Sequence, residues 1–535
     1  MAMRKGALDA PLLQLSSAGD MWAGRDANTH LLALGTTGSG KSSSTLKYCI
    51  KAVLKQGCSA ALFCIAKPED AEAIIGYCRD AGRLGSLINW TGTNGGYNFL
   101  AHELARTGNI NAVIDVLLAV LEIIRTSSPL PGRATDQFWT DSVTQMLRAT
   151  VPVVFAATGT VRMDDILTFV RQAPVSRDEM QNADWQRDSA FFHMFRAAIE
   201  RLQAGPLPGF DDATGRRAMA YWSDDYCRLD AKTAGNIRIS LTTALSRFEH
   251  GLLKDAFCGE TTICPELMIS GAALILMNFP VQTHGEDAAI GQKIFKYMTQ
   301  RILLSRNGMA AHLRTIPVMI VADEAQNFLY NDAEFLAQCR SSLVAVLFAT
   351  QSLPTLYAKI GGDHPHDRTH HLVSNFNTIV MHSSACPETN EWFARKLGKT
   401  VHQRASFNES QGTSTNYGAN MGYGSNKGGN SSWGGNSGTS SGPNGSSYST
   451  GSSWGGGRSS GSSDNFGRNR GHGTNQGTSH GWSEQVDWIL DPGFLARGLK
   501  TGGPANDNRV TAVWYQAGRC FAASGGNSLL VEMAQ

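Results

Sequence analysis

Residues 35–42 form the eight-residue stretch GTTGSGKS. It follows a short apolar run at 30–34 and precedes residues 42–55, whose apolar side chains recur at helical spacing. The pattern G-x-x-x-x-G-K-[S/T] between a strand and a helix is typical of a phosphate-binding loop. Its glycines let successive backbone N–H groups turn toward one anion, and the helix adds its positive N-terminal end. The stretch therefore predicts a nucleotide site at the edge of a parallel sheet, rather than an ordinary glycine turn.

The residue types in this loop indicate ATP with Mg²⁺ as the cofactors. The ammonium of Lys41 suits the β- and γ-phosphates, and the hydroxyl of Ser42 suits Mg²⁺. The other predicted nucleotide-binding residues are Gly35, Thr36, Thr37, Gly38, Ser39 and Gly40.

A second apolar run, VMIVADE at residues 318–324, ends in two acids. A carboxylate at the end of a strand beside a phosphate loop can hold Mg²⁺, and its neighbour can deprotonate the attacking water. We assign Asp323 to the metal, together with Ser42, and Glu324 to the catalytic base. The alternative is that both acids only cap the helix that follows, a frequent use of Asp and Glu.

Two further residues complete the predicted catalytic set. Gln351 follows the strand at 346–349 and reaches the same edge of the sheet, where it could contact the γ-phosphate or the water. Arg340 is a candidate for an arginine supplied to the site of a neighbouring subunit, and Arg395 is a second candidate. A turn residue, for Gln351, and solvated surface residues, for the arginines, are the alternatives.

The order of patterns along the chain predicts an α/β fold with insertions. A βαβα opening is followed by helical stretches at 111–124, 136–147, 163–171 and 236–248, and strands resume at 272–277, 318–322, 344–349 and 378–381. We predict a nucleotide-binding domain in two parts, 1–104 and 258–405, interrupted by an all-helical domain at 105–257. Residues 486–535 return to the core as a hairpin with strands at 510–515 and 520–523.

Residues 406–485 are dominated by Gly, Ser, Asn and Thr. Such a segment buries too little apolar surface to offset its ordering entropy, so the composition predicts a long disordered insertion. The alternative is a DNA-handling segment, because spaced aromatic residues accompany Arg458, Arg468 and Arg470.

Charge and cysteine usage constrain the environment more than the activity. The net charge of +2 decides nothing about nucleic acid, because a motor needs only a few basic side chains in a pore. The ten cysteines show no paired spacing, which predicts reduced thiols of the cytosol rather than a zinc site. No apolar run reaches the roughly 18 residues that span a bilayer. We expect a cytoplasmic protein, or one peripheral to the inner membrane, without a transmembrane segment.

Several motifs in one order make the chain resemble the FtsK/HerA class of ring translocases, and more closely the TraD/TraG type of coupling ATPase in type IV secretion and conjugation. Beyond the loop at 35–42, they are His30-Leu31-Leu32, Lys67, Asp136-Gln137-Phe138-Trp139 with Leu147-Arg148, Asp323-Glu324-Ala325-Gln326-Asn327-Phe328, Gln338-Cys339-Arg340-Ser341, Ala349-Thr350-Gln351-Ser352 and Asn375-Phe376. The resemblance covers most of the chain outside the Gly/Ser-rich segment.

The resemblance implies a RecA-like P-loop NTPase core, a homo-hexameric ring and an ATP-driven DNA translocase. It further implies delivery of relaxase-bound single-stranded DNA to inner-membrane components of a type IV secretion system. Two alternatives stay open: secretion of protein effectors, and a cytosolic DNA-processing motor of the FtsK/HerA kind. The family usually carries an N-terminal membrane anchor, and we expect none in this chain before the P-loop strand. The Gly/Ser-rich insertion is a second departure from the family pattern.

Overall fold

The computed structural model describes residues 8–127, 137–205, 207, 210–418, 434–442, 445–453 and 469–535. At 137–139 and 485, and in the described parts of 402–483, only the backbone is described. The chain divides into two compact units, Met1–Phe393 with Asp491–Gln535, and Ala394–Leu490. The predicted helical domain at 105–257 falls within the first unit, and the predicted insertion at 406–485 falls within the second.

The β-strands, in chain order, are β1 Pro11–Gln14, β2 Met21–Ala23, β3 Leu31–Leu34, β4 Ala60–Cys64, β5 Leu87–Trp90, β6 Leu274–Met277, β7 Val318–Ala322, β8 Val344–Thr350, β9 Thr378–Met381, β10 Lys399–Gly418, β11 Gly434–Gly442, β12 Gly445–Ser453, β13 Asn469–Trp488, β14 Arg509–Gln516 and β15 Ser528–Ala534.

The α-helices are α1 Gly24–Ala27, α2 Lys47–Leu54, α3 Pro68–Asp80, α4 Phe99–Thr107, α5 Ile110–Ser127, α6 Gln137–Thr158, α7 Met163–Arg171, α8 Arg177–Gln181, α9 Ala183–Asp188, α10 Ala190–Gln203, α11 Asp212–Ala220, α12 Ala231–Leu245, α13 Gly251–Phe257, α14 Glu266–Gly271, α15 Val281–Ser305, α16 Asp332–Gln338, α17 Leu353–Ile360, α18 Pro365–Ser374, α19 Pro387–Leu397 and α20 Pro492–Arg497. No helix in the described part of the chain is long and apolar enough to cross a bilayer.

A nine-stranded sheet organises the first unit, in the order β15-β14-β9-β3-β8-β7-β4-β6-β5. The seven strands from β9 to β5 are parallel, and β14 and β15 add an antiparallel edge. Every residue of β3, β4, β6, β7, β8 and β9 is buried. Strands covered on both faces read as continuous apolar runs, and this explains why the sequence revealed these strands so directly. The mixed α/β architecture predicted from the sequence is confirmed.

The helical stretch lies between β5 and β6, which are neighbours in the sheet. Of the residues described between these two strands, none is in a strand. The helix predicted from residue 136 begins at Gln137 and continues to Thr158, with Pro152 inside it. Residue 136 of the predicted Asp136–Trp139 motif lies outside the described residues.

The closing hairpin differs from its prediction in its second strand. The first strand falls at β14, as expected, but the partner is β15 and not residues 520–523. Phe521 is buried, but it belongs to a tight loop and not to a strand. Its N–H donates to the carbonyl oxygen of Gly526, and its own carbonyl oxygen accepts from the N–H of Gly525. The alternation of buried Leu529, Val531 and Met533 with exposed neighbours is the period-two signal of the true strand.

The second unit holds two antiparallel strand pairs, β10 with β13 and β11 with β12. The disordered insertion that the composition predicts at 406–485 stays a prediction. Residues 419–433, 443–444 and 454–468, which include Arg458 and Arg468, lie outside the described residues.

Candidate nucleotide site

The carboxyl ends of four neighbouring strands bring the predicted site residues to one edge of the sheet. In the parallel register, Leu34 at the end of β3 pairs with Thr350 on β8 and with Met381 on β9. Ala322 at the end of β7 pairs with Phe348 on β8. The residues that follow these strands therefore converge, which places the loop at 35–42 beside Gln351 and the two acids after β7. Open α/β sheets bind their ligands at this edge.

The loop after β3 depends on glycines at its tightest positions. Gly38 and Gly40 have φ angles of 77° and 91°, values that residues with a Cβ rarely adopt. A Cβ on Gly40 would also lie 2.6 Å from Cγ2 of Val510. The helix begins at Lys41, with a first turn over Lys41–Leu46 that continues into α2, so its N-terminal end faces the loop.

Lys41 is held inside the loop by the loop's own backbone. Its Nζ donates hydrogen bonds to the carbonyl oxygens of Gly35, at 2.6 Å, and Thr36, at 2.9 Å. Burial lowers the pKa of Lys41, and the nearby Asp323 and Glu324 carboxylates act in the opposite direction. A buried ammonium with two neutral acceptors is poised to exchange them for charged phosphate oxygens, which form stronger hydrogen bonds.

Ser42 and Asp323 are brought into direct contact, and they fit a magnesium site. The Ser42 hydroxyl donates to Oδ2 of Asp323, so the two predicted ligand oxygens already face each other. Burial raises the pKa of Asp323, whereas the hydrogen bond from Ser42 lowers it. Hydroxyl and carboxylate oxygens are ligands that Mg²⁺ accepts beside phosphate oxygens. A third acid, Asp70, stands near Asp323, and burial and the Asp323 charge raise its pKa to about 6.

Ser39 supplies an independent sign that the loop is built for a polar ligand. Its Oγ is buried and has no hydrogen-bond partner among the described residues. A buried hydroxyl without a partner costs about 1–3 kcal/mol, so such groups are rare unless a ligand or water satisfies them. The loop therefore fits the nucleotide that its sequence predicts.

Glu324 is positioned by a strained backbone and by two amides. Its φ and ψ of 51° and 48° lie in the left-handed region, which is unfavourable for a side chain of this type. Its Oε2 accepts a hydrogen bond from Nε2 of Gln326 at 2.7 Å and lies 3.4 Å from Nε2 of Gln351. Lys67 stands 3.9 Å from its Oε1. This carboxylate therefore points into the same edge of the sheet as the phosphate loop.

Gln326 and His382 are site residues to which sequence reasoning gave no role. The Thr350 hydroxyl donates to Oε1 of Gln326 at 2.8 Å, so the amide that holds Glu324 is itself fixed. Only the neighbourhood of Gln326 in the DEAQNF motif pointed to it. His382 follows β9 and lies under the loop, with Nδ1 3.2 Å from the Ser39 carbonyl oxygen and Nε2 2.9 Å from Oγ1 of Thr45. No sequence signal marked His382, because the register of β9 with β3 brings it there.

Stability should fall in acid because of His382. Its burial, with the Lys41 charge, lowers its pKa to about 3 from an ordinary value of 6.5. Between these two values the unfolded chain binds the extra proton, so the stabilisation is present above pH 6.5 and is lost as pH falls toward 3. From pH 7 to pH 5, His382 alone should remove about 2 kcal/mol from the free energy of unfolding.

The variant His382→Gln measures the contribution of His382 to the pH dependence of stability, because glutamine does not titrate. Its urea-unfolding free energy should vary less between pH 7 and pH 5 than that of the wild type, by about 2 kcal/mol. The exposed His312, as His312→Gln, is the matched control and should leave the wild-type pH dependence unchanged. An equal pH dependence in His382→Gln and wild type would contradict the assignment.

Arg340 is not brought to this edge. It lies in the turn Cys339–Ser342, just before β8, at the opposite end of the strands from the phosphate loop, and it is exposed. Within one subunit it cannot reach the nucleotide, so its predicted role requires a neighbouring copy. Its role, like the roles of the other predicted site residues, stays a prediction.

One family model matches part of the chain. Residues 317–441 match the family model TraG-D_C, described as the TraM recognition site of TraD and TraG. These residues include β7, both acids, Gln351 and β9. No curated protein matches the sequence.

Solved structures are similar to most of the chain. The unbound bacterial conjugative coupling protein TrwBdeltaN70 has a TM-score of 0.55 and 14% identity, covering 98% of this chain and 88% of that chain. TrwB in complex with ADP and Mg²⁺ has a TM-score of 0.47 and 15% identity, covering 72% and 78%. VirB4 of Thermoanaerobacter pseudethanolicus has a TM-score of 0.42 and 14% identity, covering 74% and 89%.

The first of these likenesses shows that the chain has the fold of a conjugative coupling protein, with a RecA-like P-loop core. The resemblance to such proteins that the sequence predicted is confirmed for the fold and for residues 317–441.

Proposed function

We propose that this chain is an ATP-hydrolysing motor that acts as the coupling protein of a type IV secretion or conjugation apparatus, where it moves single-stranded DNA. The observation that carries the proposal is the meeting of the phosphate loop with Asp323 and Glu324 at one sheet edge, in a fold shared with a conjugative coupling protein. The match of residues 317–441 to the TraG-D_C family supports the same conclusion.

The chain's own residues support a simple division of work during hydrolysis. Lys41 and the loop N–H groups hold the phosphates, and Ser42 and Asp323 would hold the ion. Mg²⁺, when bound, neutralises charge on the β- and γ-phosphates. Glu324 takes a proton from the water that attacks the γ-phosphate, while Gln326 and Gln351 keep its carboxylate in place. The P–O bond to ADP breaks as the bond to water forms.

The partners follow from the proposed function. We infer a homo-hexameric ring, single-stranded DNA with its relaxase as the cargo, and inner-membrane components of the secretion system as the docking site. The family model that matches residues 317–441 is named for recognition of TraM, which supports a contact between this part of the chain and a TraM-like partner.

A strand-clearing assay tests the motor directly. The protein is given single-stranded DNA with a biotin at one end and bound streptavidin, and the release of streptavidin is followed with ATP, without ATP, and with a non-hydrolysable analogue. ATP alone should accelerate release, and release should weaken as salt rises, because phosphate contacts are salt-sensitive. Release at the same rate in all three conditions would contradict a DNA motor, and ATP turnover without release would indicate a protein cargo.

A further inference from the structure

Outside the nucleotide site, three side chains that can bind metal lie close together where the chain passes between the sheet and the helical region. They are His102 on α4, Cys264, and Glu266 at the start of α14. Each offers one ligand atom, and these atoms lie within 4.8 Å of one another. All three side chains are half-buried, so an ion could reach them from solvent.

The place of this cluster in the fold is specific. The chain leaves the sheet for the helices at residues 95–98 and returns at 261–263, and these two crossings are hydrogen-bonded together. The Gly96 carbonyl oxygen accepts from the N–H groups of Thr262, at 2.9 Å, and Ile263, at 3.1 Å. The Asn98 N–H donates to Oγ1 of Thr261 at 3.0 Å. The three side chains follow these two hydrogen-bonded segments in the chain: His102 comes after 95–98, and Cys264 and Glu266 come after 261–263.

The contacts inside the cluster leave ligand atoms unused. Oε2 of Glu266 is buried and 3.0 Å from Nε2 of His102, without a well-aligned hydrogen-bond donor among the described residues. Two ligand atoms that are close together but not aligned for a hydrogen bond suit a shared ion. In a tetrahedral zinc site with bonds of about 2.0–2.3 Å, neighbouring ligand atoms are separated by somewhat more than 3 Å.

The far side of the histidine ring is also arranged for ligation. Nδ1 of His102 lies 3.1 Å from the hydroxyl of Tyr97, which is buried. A metal-bound histidine usually donates its other N–H to an oxygen that fixes the ring and its tautomer. Pro265, between Cys264 and Glu266, restricts the backbone that carries the two remaining ligands.

We propose that His102, Cys264 and Glu266 bind one Zn²⁺ ion. The ion would link the two segments through which the chain leaves the sheet and returns to it. A nitrogen, a thiolate and a carboxylate favour zinc over Mg²⁺ or Ca²⁺, which prefer oxygen ligands. The fourth tetrahedral position is left to water. Sequence spacing predicted no zinc site, because the ligands come from segments about 160 residues apart in the chain.

The alternative to bound zinc is a protonated His102 ring. Burial lowers the pKa of His102, but the nearby Cys264 and Glu266 outweigh burial and raise the pKa to about 9. Without metal, a protonated ring would form an ion pair with Glu266, whose Oε2 is 3.0 Å from Nε2 of His102. The two occupants make different predictions for metal content.

The zinc content of the protein distinguishes a bound zinc ion from an ion pair between His102 and Glu266. After dialysis against a chelator, addition of zinc and gel filtration, we expect one zinc ion per chain in the wild type and a raised melting temperature. Cys264→Ser and His102→Gln should lose the ion and the thermal shift. Cys258→Ser, a half-buried cysteine six residues away, is the matched control and should keep both. Tyr97→Phe should weaken zinc affinity by about 10- to 100-fold.

Cobalt substitution gives a readout that needs no folded variant. Co²⁺ bound to the wild type should show thiolate-to-cobalt charge-transfer absorption in the near ultraviolet, and zinc should displace it. Wild-type protein that retains no zinc, zinc that persists in both Cys264→Ser and His102→Gln, or cobalt without a thiolate band would each overturn the proposal.

Discussion

Replacing Lys41 with alanine should weaken ATP binding by about 100-fold and remove measurable turnover. The reason is that Lys41 is the buried cation of the phosphate loop, and a hydrogen bond to a charged group contributes about 3 kcal/mol at most. The hydrogen bonds that Lys41 now gives to Gly35 and Thr36 are within the loop, so the variant keeps the surrounding sheet. Isothermal titration with ATP and Mg²⁺ measures the binding.

Lys55→Ala is the matched control for this change. Lys55 lies at the end of the same helix and is exposed, so its removal should leave ATP affinity and turnover at the wild-type level. Equal melting temperatures for both variants would show that a loss of binding in Lys41→Ala is local. Wild-type ATP affinity in Lys41→Ala would place the nucleotide somewhere other than the loop at 35–42.

Replacing Glu324 with glutamine should separate binding from chemistry. Glutamine keeps the size of the side chain but cannot take a proton from water, and general-base catalysis is worth about 10²- to 10⁴-fold in rate. We expect ATP affinity to stay within about threefold of the wild type, because Glu324 is not assigned to the phosphates or to Mg²⁺. Rapid-quench single turnover should show bound ATP that is hydrolysed at least about 100-fold more slowly.

Glu334→Gln controls for the change of charge. Glu334 is exposed on α16, ten residues along the chain, and its substitution should leave both binding and single-turnover rate unchanged. If Glu324→Gln hydrolyses bound ATP at the wild-type rate, then Glu324 is not the base, and Asp70 or Asp323 would have to be tested in that role.

The sequence predicted the parts of the fold that local pattern determines. The strands of the central sheet are continuous apolar runs because both of their faces are buried, and the glycine loop requires a strand before it and a helix after it. For this reason the sequence predicts that the loop at 35–42, Asp323, Glu324 and Gln351 lie at one edge of the sheet, where the structure has them.

What the sequence missed depends on contacts between distant segments. His382 and Val510 reach the phosphate loop only because β9 and β14 pair beside β3, and nothing in their own neighbourhoods marks them. The sequence predicts the last strand at 520–523 instead of at β15 because Phe521 is a buried loop residue. In the sequence, a buried apolar loop residue looks the same as a strand residue. The cluster of His102, Cys264 and Glu266 is invisible to spacing for the same reason.

We propose that this chain hydrolyses ATP at the edge formed by the loop at 35–42 and the acids after β7, and that single-stranded DNA stimulates this hydrolysis. Steady-state phosphate release by the wild-type protein, with and without single-stranded DNA at two salt concentrations, tests it most directly. We expect Mg²⁺-dependent release that DNA stimulates strongly at low salt and less at high salt. Release that is the same with and without DNA at both salt concentrations would contradict it.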